Sequence, residues 1–247
     1  MGGGDGSLGD AAADLLLGGT CLGCARPGRL LCPPCEAALP TTPFPVAGSA
    51  AWAAASYESV VRALVVGHKE RRLLALTPVL GALLARAVAA ALDDARVPPG
   101  DAVLLVPVPS RPSAVRSRGH DPTLAMLRVA ARSLGGGVRA QPLLRTRVGV
   151  VDQSGLDVSA RRANLAGSMA VSARALRRAA RGVGAVHVVV CDDVVTTGST
   201  LAEARRALAA VGVTAVAAAT VAATPLRHRA VHSDSSDPEV PWVDRTD

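Results

Sequence analysis

A chain of 247 residues is long enough to bury a real core, as one large domain or two small ones. Apolar residues make up 49% of it and aromatic residues only 2%, so Ala, Val and Leu must build that core, and a row of base-stacking platforms is excluded. Basic residues outnumber acidic ones 27 to 20, but Lys69 is the only lysine in a composition rich in Arg, Ala, Gly and Val, which reads as coding bias; the net charge of +7 permits anionic ligands or nucleic acid without demanding either.

The amino terminus, Met1-Gly-Gly-Gly-Asp, lacks the basic and apolar regions of a secretory signal, so a soluble, cytoplasmic protein is expected, with no membrane partner. Residues 1–7 read as disordered, and Leu8 to Leu17 as a short apolar helix. Cys21-Leu-Gly-Cys24 and Cys32-Pro-Pro-Cys35 follow, two CxxC units separated by seven residues. Two such turns let four thiolates converge on one tetrahedral ion, which predicts a structural Zn²⁺ held by Cys21, Cys24, Cys32 and Cys35. Gly23 and Pro33-Pro34 suit the turns. Disulfides or redox chemistry are the alternatives, and disulfides do not suit a chain without a secretory signal. Four thiolate ligands leave no open position for chemistry. Pro40 to Gly48 reads as a proline-rich connector that closes an N-terminal unit, residues 8–48.

The body is assigned to residues 49–226 and a flexible tail to 227–247, with Trp242 its only large anchor. Ala50 to Ser56 reads as a strand, Tyr57 to Val66 and Leu73 to Leu92 as helices. The polar stretch Gly67 to Arg72 between them reads as a solvated turn, contact of Lys69 or Arg71 with a pyrophosphate being the other reading. Pro98-Pro99-Gly100-Asp101 marks a boundary. Val103 to Val106 is a second apolar strand, ending in Pro107-Val108-Pro109-Ser110. Arg111, Arg116, Arg118, Gly119 and His120 follow in a polar loop, either a receptor for pyrophosphate or plain solvated surface. Asp121 then caps, and Pro122 opens, a helix to about Leu134, ended by Gly135-Gly136-Gly137. Val138 to Leu144 reads as a strand, Arg145 to Asp157 as a loop, and Ser159 to Leu165 as a short basic helix.

Val186 to Cys191 is a continuous β-branched run, the pattern of a buried parallel strand, and Cys191 in it reads as a core residue rather than a nucleophile. It ends in two carboxylates, Asp192 and Asp193. A small-residue loop follows, Thr196-Thr197-Gly198-Ser199-Thr200, then a helical pattern from Leu201 to Val211. Ligands of open α/β sheets bind beyond the carboxyl ends of such strands. The hydroxyls, the close backbone approach allowed by Gly198 and the free N–H groups of a helix start favour a phosphate. Adjacent aspartates repel a bare polyphosphate but accept hydrogen bonds from neighbouring sugar hydroxyls, so the whole fits a ribose 5-phosphate. The bland alternative is a strand–turn–helix whose Asp and Thr residues only cap the helix. Ala207 to Leu226 carries no charge, but Gly212 divides it into a helix end, a turn and a buried strand at about Val213 to Ala223 rather than a membrane span.

The stretch from Val186 to Thr200 resembles the phosphoribosyl-diphosphate (PRPP) signature of type I phosphoribosyltransferases: an apolar run, two acids, two apolar residues and Thr-Thr-Gly-x-Thr. Together with the double CxxC, Val106-Pro107-Val108-Pro109, Arg118-Gly119, and Gln153 ahead of Arg161-Arg162-Ala163-Asn164-Leu165, it makes residues from about 8 to 224 similar to the ComF family, competence-associated phosphoribosyltransferase-like proteins. One departure stands out: His120-Asp121-Pro122 occupies the place of the family's aromatic-Asn-Gln. The resemblance implies a type I phosphoribosyltransferase-like (Rossmann-like) α/β fold, a parallel sheet with helices on both faces, beside a small zinc-binding element. It implies Asp192 and Asp193 as catalytic, ribose-holding residues, and Thr196, Thr197, Gly198, Ser199 and Thr200 as the cradle of the 5-phosphate. It also implies Mg²⁺ bound with PRPP, whose pyrophosphate would meet Arg111, Arg116 and Arg118 if the polar loop after the Val103–Val106 strand is its receptor. Two functions are compatible with it: phosphoribosyl transfer to an unidentified nitrogenous acceptor, or a non-catalytic PRPP-binding accessory role in DNA uptake, with single-stranded DNA or a helicase as partner.

Overall fold

The computed structural model describes residues 19–110, 115, 119–147, 167–179 and 186–225. The expected helix at Leu8–Leu17, the arginines Arg111, Arg116 and Arg118, Gln153, the Arg161–Leu165 element and the tail lie outside them.

The Val- and Ala-rich runs form one six-stranded sheet. Its strands in chain order are β1 (Phe44–Val46), β2 (Ala51–Ser56), β3 (Ala102–Pro107), β4 (Val138–Ala140), β7 (Val186–Val195) and β8 (Ala215–Ala223). Their order across the sheet is β1-β2-β8-β7-β3-β4, parallel throughout except for the antiparallel edge strand β1. The remaining strands, β5 (Leu144–Thr146) and β6 (Met169–Val171), pair antiparallel in a small separate sheet. Helices are α1 (Pro33–Ala37), α2 (Ser59–Glu70), α3 (Thr77–Asp94, entered through a 3₁₀ turn at Leu74–Leu76), α4 (Pro122–Leu134), α5 (Ala173–Ala179) and α6 (Ser199–Ala209).

Alternation along the strands divides the core into two layers, because successive side chains leave opposite faces of a sheet. Val103, Leu105, Val189, Cys191, Ala217 and Ala219 pack with α2, α3 and α4. Leu104, Val106, Val188, Val190 and Ala218 pack with α6 and the β5–β6 ribbon. Helices thus cover both faces, as the sequence predicts. With so few large side chains, the helices approach closely: a Cβ on Gly81 of α3 would overlap the side chain of Val129 on α4.

Four elements differ from the sequence-based expectation. The polar stretch after Val66 is not a turn, for α2 runs on to Glu70. Val61, Leu64, Val65 and His68 are all buried, one continuous helical stripe; the helix is capped at Arg71 and the chain turns away at Arg72, whose φ is +57°. The stretch read as a connector contains β1, where Pro45 is tolerated because an edge strand leaves one side unpaired. The strand expected at Val138–Leu144 is broken by Gln141-Pro142 into β4 and β5, which join different sheets. Strand β7 outlasts its apolar run by four residues: Asp192, Val194 and Val195 pair with Thr220, Ala222 and Ala223 of β8.

Near the amino terminus, the four cysteine Sγ atoms lie within 4.8 Å of one another. Leu22, next to Cys21, reaches the α2 backbone, where a Cβ on Gly67 would lie 3.2 Å from it. Among the described residues one helix, Leu74–Asp94, is long and apolar enough to cross a membrane by length and composition alone; half of it is buried, against β8 and α4.

Candidate functional site

At the carboxyl end of β7 the chain lines a cleft of about 510 Å³. Its walls include Asp192, Asp193, Thr196 and Thr200 from β7 and the loop after it, Ser110 beyond β3, Thr123 at the start of α4, and Tyr57, Lys69 and Glu70 from α2 and its approach. This is where the topology of parallel strands places a ligand.

The acidic pair is held by its own backbone. Asp192 Oδ1 accepts the N–H of Asp193 at 2.8 Å, and Asp193 Oδ1 accepts that of Val194 at 2.9 Å. Asp193 is 5% exposed, and its Oδ2 lies 2.6 Å from the Nζ of Lys69. Burial, then the neighbouring charge of Asp193, push the Asp192 carboxyl well above the usual carboxylate range, while the Asp193 N–H and Lys69 act the other way. One carboxylate is therefore neutralised by an ammonium, and its neighbour is biased toward holding a proton.

The Thr-rich loop turns through Gly198, whose φ of +72° opens α6. A Cβ there would stand 2.9 Å from the Cβ of Ser49, so a side chain at this position meets both strain and contact. Thr197 Oγ1 accepts the N–H of Ser199 at 3.4 Å and pairs with its hydroxyl at 2.9 Å. This is a local turn contact and not a helix cap, since the N-cap of α6 is Gly198 and no side chain caps it. Ser199 is buried, whereas Thr196 and Thr200 line the cleft. The five loop residues are thus divided between building the turn and facing the cavity.

Behind the cleft, His68 is 1% exposed and its Nε2 lies 2.9 Å from Thr77 Oγ1. Burial, then the nearby His120, lower its pKa, which leaves the ring neutral near pH 7. His120 packs edge-on against it, ring centroids 6.3 Å apart, so a ring does fill the aromatic position before Asp121. Asp121 caps α4 as expected, Oδ1 accepting the N–H of Leu124 at 3.1 Å.

Of the cleft residues outside the signature, the sequence reading offers Lys69 only as an alternative ligand contact and does not offer Tyr57, Thr123 or Glu70. The usable signal was the apolar stripe through Val61, Leu64 and Val65, which continues to His68 and so keeps Lys69 helical.

The cysteine cluster is a separate site. Sγ atoms of Cys21 and Cys32, and of Cys24 and Cys32, are 3.6 Å apart. Thiolates about 2.3 Å from one tetrahedral zinc stand about 3.8 Å apart, so the four residues fit such an ion. Although burial acts against it, backbone N–H groups of Cys32, Cys24 and Gly23 bring the Cys21 thiol down to about 6. Gly23 is required for the convergence, since a Cβ there would lie 2.8 Å from Cys35 Sγ. Cys191, by contrast, is fully buried in β7, and burial pushes its thiol far up.

A search of the curated proteins returns no match. Residues 131–242, a span that runs from the end of α4 through the acidic pair and its loop, match the family model of the phosphoribosyl transferase domain.

Proposed function

We propose that the cleft binds PRPP and that the chain is a phosphoribosyltransferase-like protein of the ComF type, transferring phosphoribose to a nitrogenous acceptor. The observation that carries this is the joint exposure of Asp192, Asp193, Thr196 and Thr200 to one cavity at the carboxyl end of a central parallel strand, inside the region matched by the family model. Asp192 and Asp193 take the ribose hydroxyls, and the Thr196–Thr200 loop takes the 5-phosphate. Arg111, Arg116 and Arg118, which follow the end of β3, take pyrophosphate. The acidic, oxygen-rich lining (Glu70, Asp192, Asp193, Ser110) suits Mg²⁺ arriving with the ligand. When bound, Mg²⁺ supplies Lewis-acid stabilisation of the departing pyrophosphate charge. The protein contributes position: it holds the sugar by two edges while the C1–O bond to pyrophosphate breaks and the acceptor nitrogen bonds to C1. The cysteine cluster holds a structural zinc ion. Titration with PRPP in Mg²⁺ tests the reading, with pyrophosphate release across a panel of nitrogenous bases reporting turnover. One PRPP per chain is expected, and absence of binding contradicts the proposal.

A second reading, association with single-stranded DNA, draws on one observation. Arg128, Arg132, Arg139, Arg145, Arg147, Arg174, Arg177 and Arg178 are all exposed. From Pro122 to Arg147 and from Gly167 to Ala179 the chain has no Asp or Glu, although Asp121 caps the helix that opens the first of these stretches. These eight charges exceed the whole +7 excess of the chain.

A further inference from the structure

Lys69 is the one ammonium in a chain whose other 26 basic side chains are guanidinium groups, and it stands in the cleft. Its Nζ meets Asp193 Oδ2 at 2.6 Å, with the lysine side chain 38% exposed and the aspartate side chain 7%. The buried partner is therefore fixed in the strand, while the lysine side chain stays partly exposed. An ammonium has three donors on a flexible stem and can pivot between partners, whereas a guanidinium would lock onto a carboxylate in a fork. Among the described lining residues Lys69 is the only cation, against Glu70, Asp192 and Asp193. A ligand carrying several negative charges meets, among the described residues of the cleft, three carboxylates and the Lys69 ammonium.

We propose that Lys69 exchanges Asp193 for the diphosphate of the incoming sugar, so that the site distinguishes a 1-diphosphate from ribose 5-phosphate. This rests on the reading of the cleft as a PRPP site. Asp193 Oδ1 already accepts the Val194 N–H, and Oδ2 is occupied by Lys69. Sugar hydroxyls therefore compete with Lys69 for the remaining lone pairs. A diphosphate at C1 draws the ammonium away and opens Oδ2 to the sugar. Ribose 5-phosphate has no charged group at C1, so Lys69 stays on Asp193 and the sugar clamp remains closed. Recognition of the leaving group and recognition of the ribose are thereby linked through a single ion pair.

The test titrates PRPP, ribose 5-phosphate and inorganic pyrophosphate, all with Mg²⁺, into the unmodified protein, Lys69→Met and Lys69→Arg, with melting curves to show that each variant is folded. Lys69→Met should weaken PRPP and pyrophosphate about tenfold or more while ribose 5-phosphate changes by less than about threefold or tightens. Lys69→Arg should fall between, its fork retained by Asp193. Because the lysine is unique, its acylation rate, read by peptide mass spectrometry, gives a second view: PRPP and pyrophosphate should change it, and ribose 5-phosphate should not. Equal loss of PRPP and ribose 5-phosphate in Lys69→Met, or no loss of PRPP, overturns the exchange and leaves the ion pair a structural contact. Failure of the unmodified protein to bind PRPP at all overturns the reading of the cleft and the exchange with it.

Discussion

Asp192 and Asp193 show how much chemistry one residue step can change. Asp193 has an ammonium partner, while Asp192 is desolvated beside that charge and held toward its protonated form. A carboxyl whose pKa is raised on folding binds more protons in the native than in the unfolded chain, so its ionisation opposes folding above the unfolded value, and the cost fades as pH falls. Asp192→Asn should therefore melt higher than the parent at neutral pH, the gap closing toward acid. Its PRPP affinity should drop by only about fivefold, the loss of one neutral hydrogen bond worth about 1 kcal/mol. Calorimetry across pH checks the first effect; a gap independent of pH, or a lower melting point, contradicts it. The acidic pair and the loop were legible in the sequence because their chemistry is local and contiguous. Lys69 was legible only as an alternative pyrophosphate contact, and its pairing with Asp193 was not, because the partner is far along the chain and only the packing of α2 over the end of β7 joins them.

Among the elements, the cysteine unit and α2 form a connected pair. Gly23 lets Cys35 approach, and Leu22 touches the α2 backbone at Gly67, two residues from Lys69. Purified protein should carry about one zinc per chain, and Cys35→Ser should lose it and melt lower. PRPP should weaken only modestly, by about threefold, through loss of the brace on α2. Metal analysis under reducing conditions returning no zinc would sink this account. Both CxxC units could be read directly, since ligand spacing is a short-range property. Strand ends could not. Two acids look like the end of a strand, yet β8 carries the ladder four residues further, and Gln141-Pro142 breaks a run that composition makes continuous. Pairing partners, rather than propensity, set those boundaries.

At the scale of the whole molecule, the sheet with helices on both faces follows from apolar runs alternating with amphipathic stretches, and was legible. The charge distribution was not. The sequence scatters arginine throughout, and only folding shows that eight arginines of residues 122–147 and 167–179 are exposed. If these arginines bind single-stranded DNA, affinity for an oligonucleotide should fall steeply with salt, the logarithmic slope growing by about 0.7 for each phosphate contacted. Arg174→Glu with Arg178→Glu should flatten that slope and leave PRPP binding unchanged. A slope near zero in the unmodified protein would remove DNA from the account without touching the cleft.

The claim at the centre is that one acidic residue grips sugar while the adjoining loop grips phosphate. A paired titration of the parent protein and Asp193→Asn with PRPP and with inorganic phosphate separates the two. The substitution keeps the shape of the side chain and removes a charge-assisted bond worth roughly 1.5–3 kcal/mol, so PRPP should weaken by about tenfold or more. Phosphate should bind as before or tighten, since a repulsive charge is gone and Lys69 is released. Unchanged PRPP affinity in Asp193→Asn would contradict the account.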